Sequence, residues 1–204
     1  MEVSGAWGQV VAMSPWEYVA VLLSIAYLLL AARENIWCWL CALVSTCIYV
    51  LLFWNESLLM ESALNGYYIA MAVYGWWQWR GKSAKTDLAI TTWPWTRHVL
   101  TVTGVVLLAG LSGKLLAENT AAAWPYVDSF TTWGAIVTTW MVAHKILENW
   151  IYWFVIDAVS IPLYIDRGLY LTAVLFVMYL VIVVFGYFSW IREYRESRDD
   201  LPRT

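Results

Sequence analysis

Apolar positions along this chain gather into seven runs, at 16–32, 36–53, 58–79, 98–117, 126–143, 150–165 and 169–191, parted by short charged or Pro- and Gly-bearing stretches. Each run approaches the ~20 residues an α-helix needs to cross a hydrocarbon layer of roughly 30 Å. The pattern therefore predicts seven transmembrane helices. Polar residues inside the runs are not scattered. Asn149, Trp153, Asp157, Ser160 and Tyr164 follow one another at spacings of three and four, which places them on one helical face. Asn35, Trp39, Thr46 and Tyr49 share a face earlier in the chain, as do Glu61, Asn65, Tyr68, Gly75 and Trp79, at spacings of three, four and seven. Such faces are costly against lipid, so they are expected to turn inward and meet one another. Pro162 removes a backbone hydrogen bond and should bend its helix, freeing the carbonyl of Ala158 toward the same interior.

The two halves resemble each other. A shift of 114 lays Asn35 on Asn149 and Trp39 on Trp153. A shift of 111 lays Tyr68 on Tyr179, Gly75 on Gly186 and Trp79 on Trp190. Each half thus reads Asn-x-x-x-Trp and then Tyr-x6-Gly-x3-Trp. A three-helix unit ends on the opposite side from its start, and the Trp-free run at 98–117 restores the direction for a second, parallel unit. The predicted fold is an all-α polytopic membrane protein of two parallel three-helix repeats joined by a linker helix. Its parts are a first repeat at 1–80, a loop and linker helix at 81–122, a second repeat at 123–192 and a tail at 193–204. Parallel repeats with a site near the midplane between them are a transporter architecture, of which SWEET carriers are an example.

Composition removes the soluble alternative. The chain is 62% hydrophobic and 13% charged, with mean hydropathy +0.61, more apolar surface than a soluble core hides. With the N-terminus outside, the cytoplasmic connections hold ten of the twelve Lys and Arg, and only Lys114 and Arg167 fall outside. That bias places the C-terminus in the cytoplasm and the chain in an inner membrane. The stretch before Pro15 has no Lys or Arg, so a secretory signal is not expected.

Charge also narrows the cargo. No Lys or Arg falls in mid-span, whereas Asp157 lies well inside one span and Glu61 near the end of another. A phosphorylated or carboxylate substrate would lack a counter-charge there, and a neutral or cationic one would not. The 16 Trp and 13 Tyr suit a flat ring hydrogen-bonded at its edge. Trp7, Trp16, Trp54, Trp93, Trp95 and Trp124 fit an interfacial belt, while Trp39, Trp79, Trp153 and Trp190 stand in repeat register. The spacing Cys38-x-x-Cys41, with Cys47 beyond, lies in an apolar span and reads as small buried residues. His98 and His144 mark span ends. No nucleophile–base pair, phosphate loop, metal cluster or cofactor motif appears, and the Arg-bearing tail reads as a topology determinant, not a nucleic-acid patch. An intramembrane enzyme would need Asp157 and Glu61 close together on a path open to one side. A structural assembly factor leaves the matched polar faces unexplained.

The strings "TTWMVAHKILENWIYW", "SIPLYIDRGLYLTAVLF", "GYFSW" and "YGWWQW" resemble the PnuC family of nicotinamide riboside transporters, from Asn35 to Arg192. The resemblance implies a SWEET-like fold, homotrimers with one pathway per protomer, and downhill passage of a vitamin precursor that a cytoplasmic kinase traps. It maps the family's aromatic and amide site onto Trp150, Trp153, Asp157 and Gln78, with Asn65, Tyr68 and Asn149 beside them. Trp39, Trp79 and Tyr164 complete the candidate substrate-binding set from the repeat faces. At Asn65-Gly66 the chain departs from the family's usual pair, so thiamine, another aromatic cation, stands as an alternative cargo.

Overall fold

The computed structural model describes residues 14–55, 59–80, 88–120 and 124–199; the side chains of residues 53, 55, 59–61 and 63 lie outside that description. Trp7, Lys82, Lys85 and Arg203, and the side chain of Glu61, therefore fall outside the described set.

Seven helices form among the described residues: α1 Pro15–Ala32, α2 Cys38–Asn55, α3 Leu59–Trp79, α4 Trp95–Asn119, α5 Pro125–Ala143, α6 Asn149–Asp166 and α7 Tyr170–Asp199. They coincide with the seven apolar runs. Local chemistry sets several ends. Ser14 and Glu17 close a capping box, with the Ser14 amide donating to Glu17 at 2.7 Å and the Glu17 amide to Ser14 Oγ at 3.3 Å. Pro15 and Pro125 occupy first-turn positions, where no amide is needed. α6 runs continuously through Pro162, and α7 continues past the last apolar run to Asp199. Among the described residues Pro15–Ala32, Trp95–Asn119 and Tyr170–Asp199 are long and apolar enough on their own to cross a membrane.

Packing closes a ring. Going round it, α1 packs on α2, α2 on α3, α3 on α5, α5 on α6, α6 on α7 and α7 back on α1. α4 packs along α5, reaches α6 through His98 at its first turn, and leaves Leu100, Leu107, Leu111 and Leu115 facing outward. The helices are thus two three-helix units, α1–α3 and α5–α7, joined edge to edge through α3–α5 and α7–α1, with the linker helix outside.

One end gathers the C-termini of α1, α3 and α5, the Trp190 level of α7 and the N-termini of α2 and α6. There the Trp79 indole donates to the carbonyl of Ala143 at 3.2 Å, and the Trp190 indole to that of Ala31 at 3.0 Å. Both repeats end on this side, which makes them parallel. A short bridge adds to the joint: the Thr91 amide donates to Lys145 O at 3.0 Å and the Leu147 amide to Thr91 O at 2.8 Å.

The register of the repeat is 111 residues throughout, where the sequence pattern had suggested 114 for the middle helices. Trp39 stacks its ring on Gly75, and Trp150 stacks on Gly186. Trp39 meets Trp79 edge-on at 5.5 Å, and Trp150 meets Trp190 edge-on at 5.4 Å. Trp39 is therefore matched by Trp150, not by Trp153. Glycine on the neighbouring helix decides the register, because only there can an indole lie against backbone.

Candidate functional site

The interior of the ring is organised in levels. Midway along their helices, the hydroxyl of Ser45 on α2 donates to Ala20 O at 2.8 Å and lies 2.8 Å from that of Ser24 on α1. Tyr49 on α2 and Tyr179 on α7 both reach Ser24, so three helices share one hydroxyl cluster.

Asp157 stands at a similar depth, midway along α6. It is buried, at 4% exposure, and has no hydrogen-bond partner among the described residues. It lies within electrostatic reach of Tyr68 on α3 and Tyr179 on α7, and both phenols also interact with Tyr164, one α6 turn pair further out. Tyr164 packs on Phe176 at 4.9 Å, and Phe176 on Tyr179 at 5.5 Å. Tyr68 and Tyr179 occupy matched positions in the two repeats, so the carboxylate is flanked by a symmetric pair of phenols. An ionised carboxylate in such a place is expensive unless a donor or a cation meets it. This level suits the edge of a hydrogen-bonding or positively charged ring.

Beyond it comes a wall of indoles. Trp39, Trp150 and Trp190 are fully buried, and Trp79 nearly so. Trp79 and Trp190 meet across the repeat boundary at 6.2 Å between ring centroids. With the edge-on contacts already described, the four rings form a chain, Trp39–Trp79–Trp190–Trp150, that fills the ring interior at this end. Trp153 is half-buried on the same stripe of α6 as Trp150 and Asp157, between the wall and the carboxylate. The indole N–H groups of Trp39, Trp150 and Trp153 are buried with no partner among the described residues. An open cavity of about 450 Å³ lies outside the wall, lined by Glu34, Trp79, Ile90, Lys145 and Glu193 among others.

The sequence-derived candidates thus separate by level. Asp157, Tyr68 and Tyr164 come together in the interior, with Trp153 beside them. Trp39, Trp79 and Trp150 belong to the wall. Asn149 is buried at its base, with its side-chain amide donating to Ile146 O at 2.7 Å. Asn65 is buried one turn from Tyr68 on α3. Gln78 is half-buried and stands about 80° round α3 from Tyr68, on the side of Tyr74, which hydrogen bonds His144 of α5.

Three features were not foreseen. Ser24 and Ser45 stand beside, not on, the faces the spacing picks out, and Tyr179 is marked only as the repeat mate of Tyr68. The span-end histidines have partners that the sequence did not indicate: His98 Nδ1 lies 2.9 Å from the Tyr152 hydroxyl with Nε2 3.8 Å from Glu148, and His144 stacks on Trp140 at 3.8 Å. The third is an ion pair between Lys145 and Glu34 at 2.8 Å, from corners 111 residues apart. Of the cysteines, Cys38 is buried, Cys41 intermediate and Cys47 exposed, and all three are free.

Comparison with known proteins sets these observations in a family. A riboflavin/roseoflavin transporter of Streptomyces davaonensis, RibM, is 25% identical over 189 residues, covering 89% of this chain and 87% of its own. The nicotinamide riboside transporter PnuC of Escherichia coli is 21% identical over 206 residues, covering 88% of this chain and 86% of its own. The crystal structure of a vitamin B3 transporter PnuC superposes with a TM-score of 0.72 over 96% of this chain and 90% of that one, at 23% identity, and so shares the fold. The family described as nicotinamide mononucleotide transporter matches residues 14–192. With nearly the whole ring inside that match, the chain belongs to the nicotinamide mononucleotide transporter family, the family of PnuC.

Proposed function

We propose that this chain carries nicotinamide riboside, or an aromatic vitamin of the same kind, across the inner membrane through the interior of the six-helix ring. The observation that carries the reading is Asp157: a buried carboxylate without a hydrogen-bond partner among the described residues, between the matched phenols Tyr68 and Tyr179. Nicotinamide riboside brings a pyridinium charge to meet the carboxylate and ribose hydroxyls to meet the tyrosines, and Trp153 offers a π face to the ring. A mononucleotide adds phosphate charge where no Lys or Arg stands in mid-span, which disfavours it. The similarity to RibM supports a second reading, riboflavin, whose imide N–H would donate to Asp157; thiamine remains a third cargo of the same chemistry.

In this reading the N-terminus is outside and the C-terminus cytoplasmic, the protein works as a homotrimer with a pathway in each protomer, and passage is facilitated diffusion with a cytoplasmic kinase trapping the product. The ring supports transport over intramembrane catalysis because its two halves offer the interior equivalent walls. Uptake of radiolabelled nicotinamide riboside, riboflavin and thiamine into proteoliposomes tests it. One of the three should equilibrate at a rate that an uncoupler leaves nearly unchanged, and nicotinamide mononucleotide should compete poorly. Accumulation above equilibrium that an uncoupler abolishes, or competition by the mononucleotide equal to that of the nucleoside, would overturn it.

A further inference from the structure

Two corners of the ring share a costly backbone choice. Glu34 has φ 53° and Lys145 has φ 49°, the left-handed region that favours glycine. Each closes the same turn at the end of its helix. The Asn35 amide donates back to Leu30 O at 2.9 Å, and the Ile146 amide to Met141 O at 3.0 Å, the Schellman pattern at the C-termini of α1 and α5. Glycine would serve that turn without strain, yet both repeats place a long charged side chain there, of opposite sign. The two side chains find each other: Lys145 Nζ lies 2.8 Å from Glu34 Oε2, with the side chains only 12% and 23% exposed. The same ammonium sits 4.9 Å over the ring of Trp79. Strain that persists at matched positions and ends in a contact between them calls for a functional explanation.

Geometry supplies one. The way from Asp157 to this end is filled by the four indoles, and the boundary between the repeats runs between Trp79 and Trp190. An opening wide enough for a vitamin must part those two rings and give up the hydrogen bonds to Ala143 and Ala31. Glu34 belongs to the first repeat and Lys145 to the second, so that movement also pulls the ion pair apart. A partly buried pair is stronger than a surface one without being irreversible. We propose that Glu34–Lys145 is a latch on this mouth: it holds the indole wall shut and breaks each time the pathway opens to this side. The proposal rests on the transport reading above, and its test has an arm that needs no transport.

The first arm asks whether the corners move. In a chain whose Cys38, Cys41 and Cys47 are replaced by Ser, Glu34→Cys and Lys145→Cys are joined by a short bis-methanethiosulfonate reagent, linkage being followed by mass. Uptake of labelled nicotinamide riboside and riboflavin should fall at least tenfold on linkage and recover with dithiothreitol. Undiminished uptake by linked protein means the corners stay together through the cycle, which overturns the latch and leaves the transport reading intact. The second arm uses native Cys38, buried in the first turn of α2 beside the wall, as reporter. With Cys41 and Cys47 replaced by Ser, its labelling by a membrane-impermeant methanethiosulfonate should rise at least fivefold in folded Lys145→Gln and in folded Glu34→Gln. Combined Glu34→Lys and Lys145→Glu, which restores attraction with the charges exchanged, should bring labelling back toward that of the parent. Labelling unchanged in the single variants, or equally raised in the exchange, overturns the proposal even if no cargo has been found.

Discussion

Trp79 and Trp190 each donate an indole N–H to a carbonyl of the opposite repeat, Ala143 for one and Ala31 for the other, while their rings touch at 6.2 Å. The exchange is nearly symmetric, and it is where the two halves are joined at the charged end. Trp79→Phe and Trp190→Phe keep most of the packing but strand a buried carbonyl, so each should cost about 1 kcal/mol. Because the rings are in contact, the double variant should depart from the sum by about 0.5 kcal/mol or more. Thermal denaturation of the purified protein in detergent measures all three. Additive losses would mean that the two rings do not act as one joint.

Gly75 and Gly186 make that joint possible. A Cβ at Gly75 would fall inside the ring of Trp39, and one at Gly186 inside the ring of Trp150. Gly75→Ala and Gly186→Ala should each destabilise by about 1–3 kcal/mol, the usual cost of overpacking. Gly66, in the same helix as Gly75, has open space around it. Gly66→Ala should be neutral or stabilising by up to about 1 kcal/mol, because only the helix-propensity term remains. Equal effects at Gly66 and Gly75 would remove the close indole–glycine approach as the cause.

Much of this was readable in the chain because bilayer length and helical period leave little choice. Seven runs gave seven helices, and the spacing of Asn149, Trp153, Asp157 and Tyr164 put them on one stripe of α6. The repeat was also visible, but its register in the middle helices was not. Asn35 and Asn149 attract the alignment to 114, while the packing of Trp39 on Gly75 and of Trp150 on Gly186 fixes 111. A stripe reports direction, not depth along the axis. The sequence therefore grouped Trp39, Trp79 and Trp150 with Asp157, and the structure sorts them into a wall and a polar level. Glu34–Lys145 was invisible for another reason: each residue reads alone as a solvated corner charge.

By helical angle Tyr152 lies on a side of α6 away from Asp157. Its hydroxyl instead pairs with His98 at 2.9 Å, at the N-terminal turn of the linker helix, where Glu148 also takes the Trp93 amide at 3.3 Å. Tyr152→Phe should therefore cost about 1 kcal/mol of stability and leave affinity unchanged. Phe154, exposed to lipid on the same helix, is the better control, and Phe154→Leu should move neither quantity. A change in affinity for Tyr152→Phe would carry the binding region out toward the linker helix.

The sharpest division is between two tryptophans three residues apart. Trp150 is 1% exposed and wedged between Gly186 and Trp190, so Trp150→Ala empties part of the wall. It should lower stability by about 3–5 kcal/mol, the cost of deleting a large buried ring. Trp153 is half-buried on the stripe that leads to Asp157, and Trp153→Ala should spare the fold while weakening cargo binding by about 1–3 kcal/mol, the range for a lost aromatic and cation–π contact. Asp157→Asn keeps shape and hydrogen bonding but removes the charge. It should weaken nicotinamide riboside or thiamine by at least about 1.4 kcal/mol, a tenfold change, and riboflavin by less. Calorimetric titration alongside thermal denaturation of each purified variant separates the two roles. Normal affinity in folded Trp153→Ala would make that ring scaffold, and equal losses for cationic and neutral vitamins in Asp157→Asn would take charge recognition away from the carboxylate.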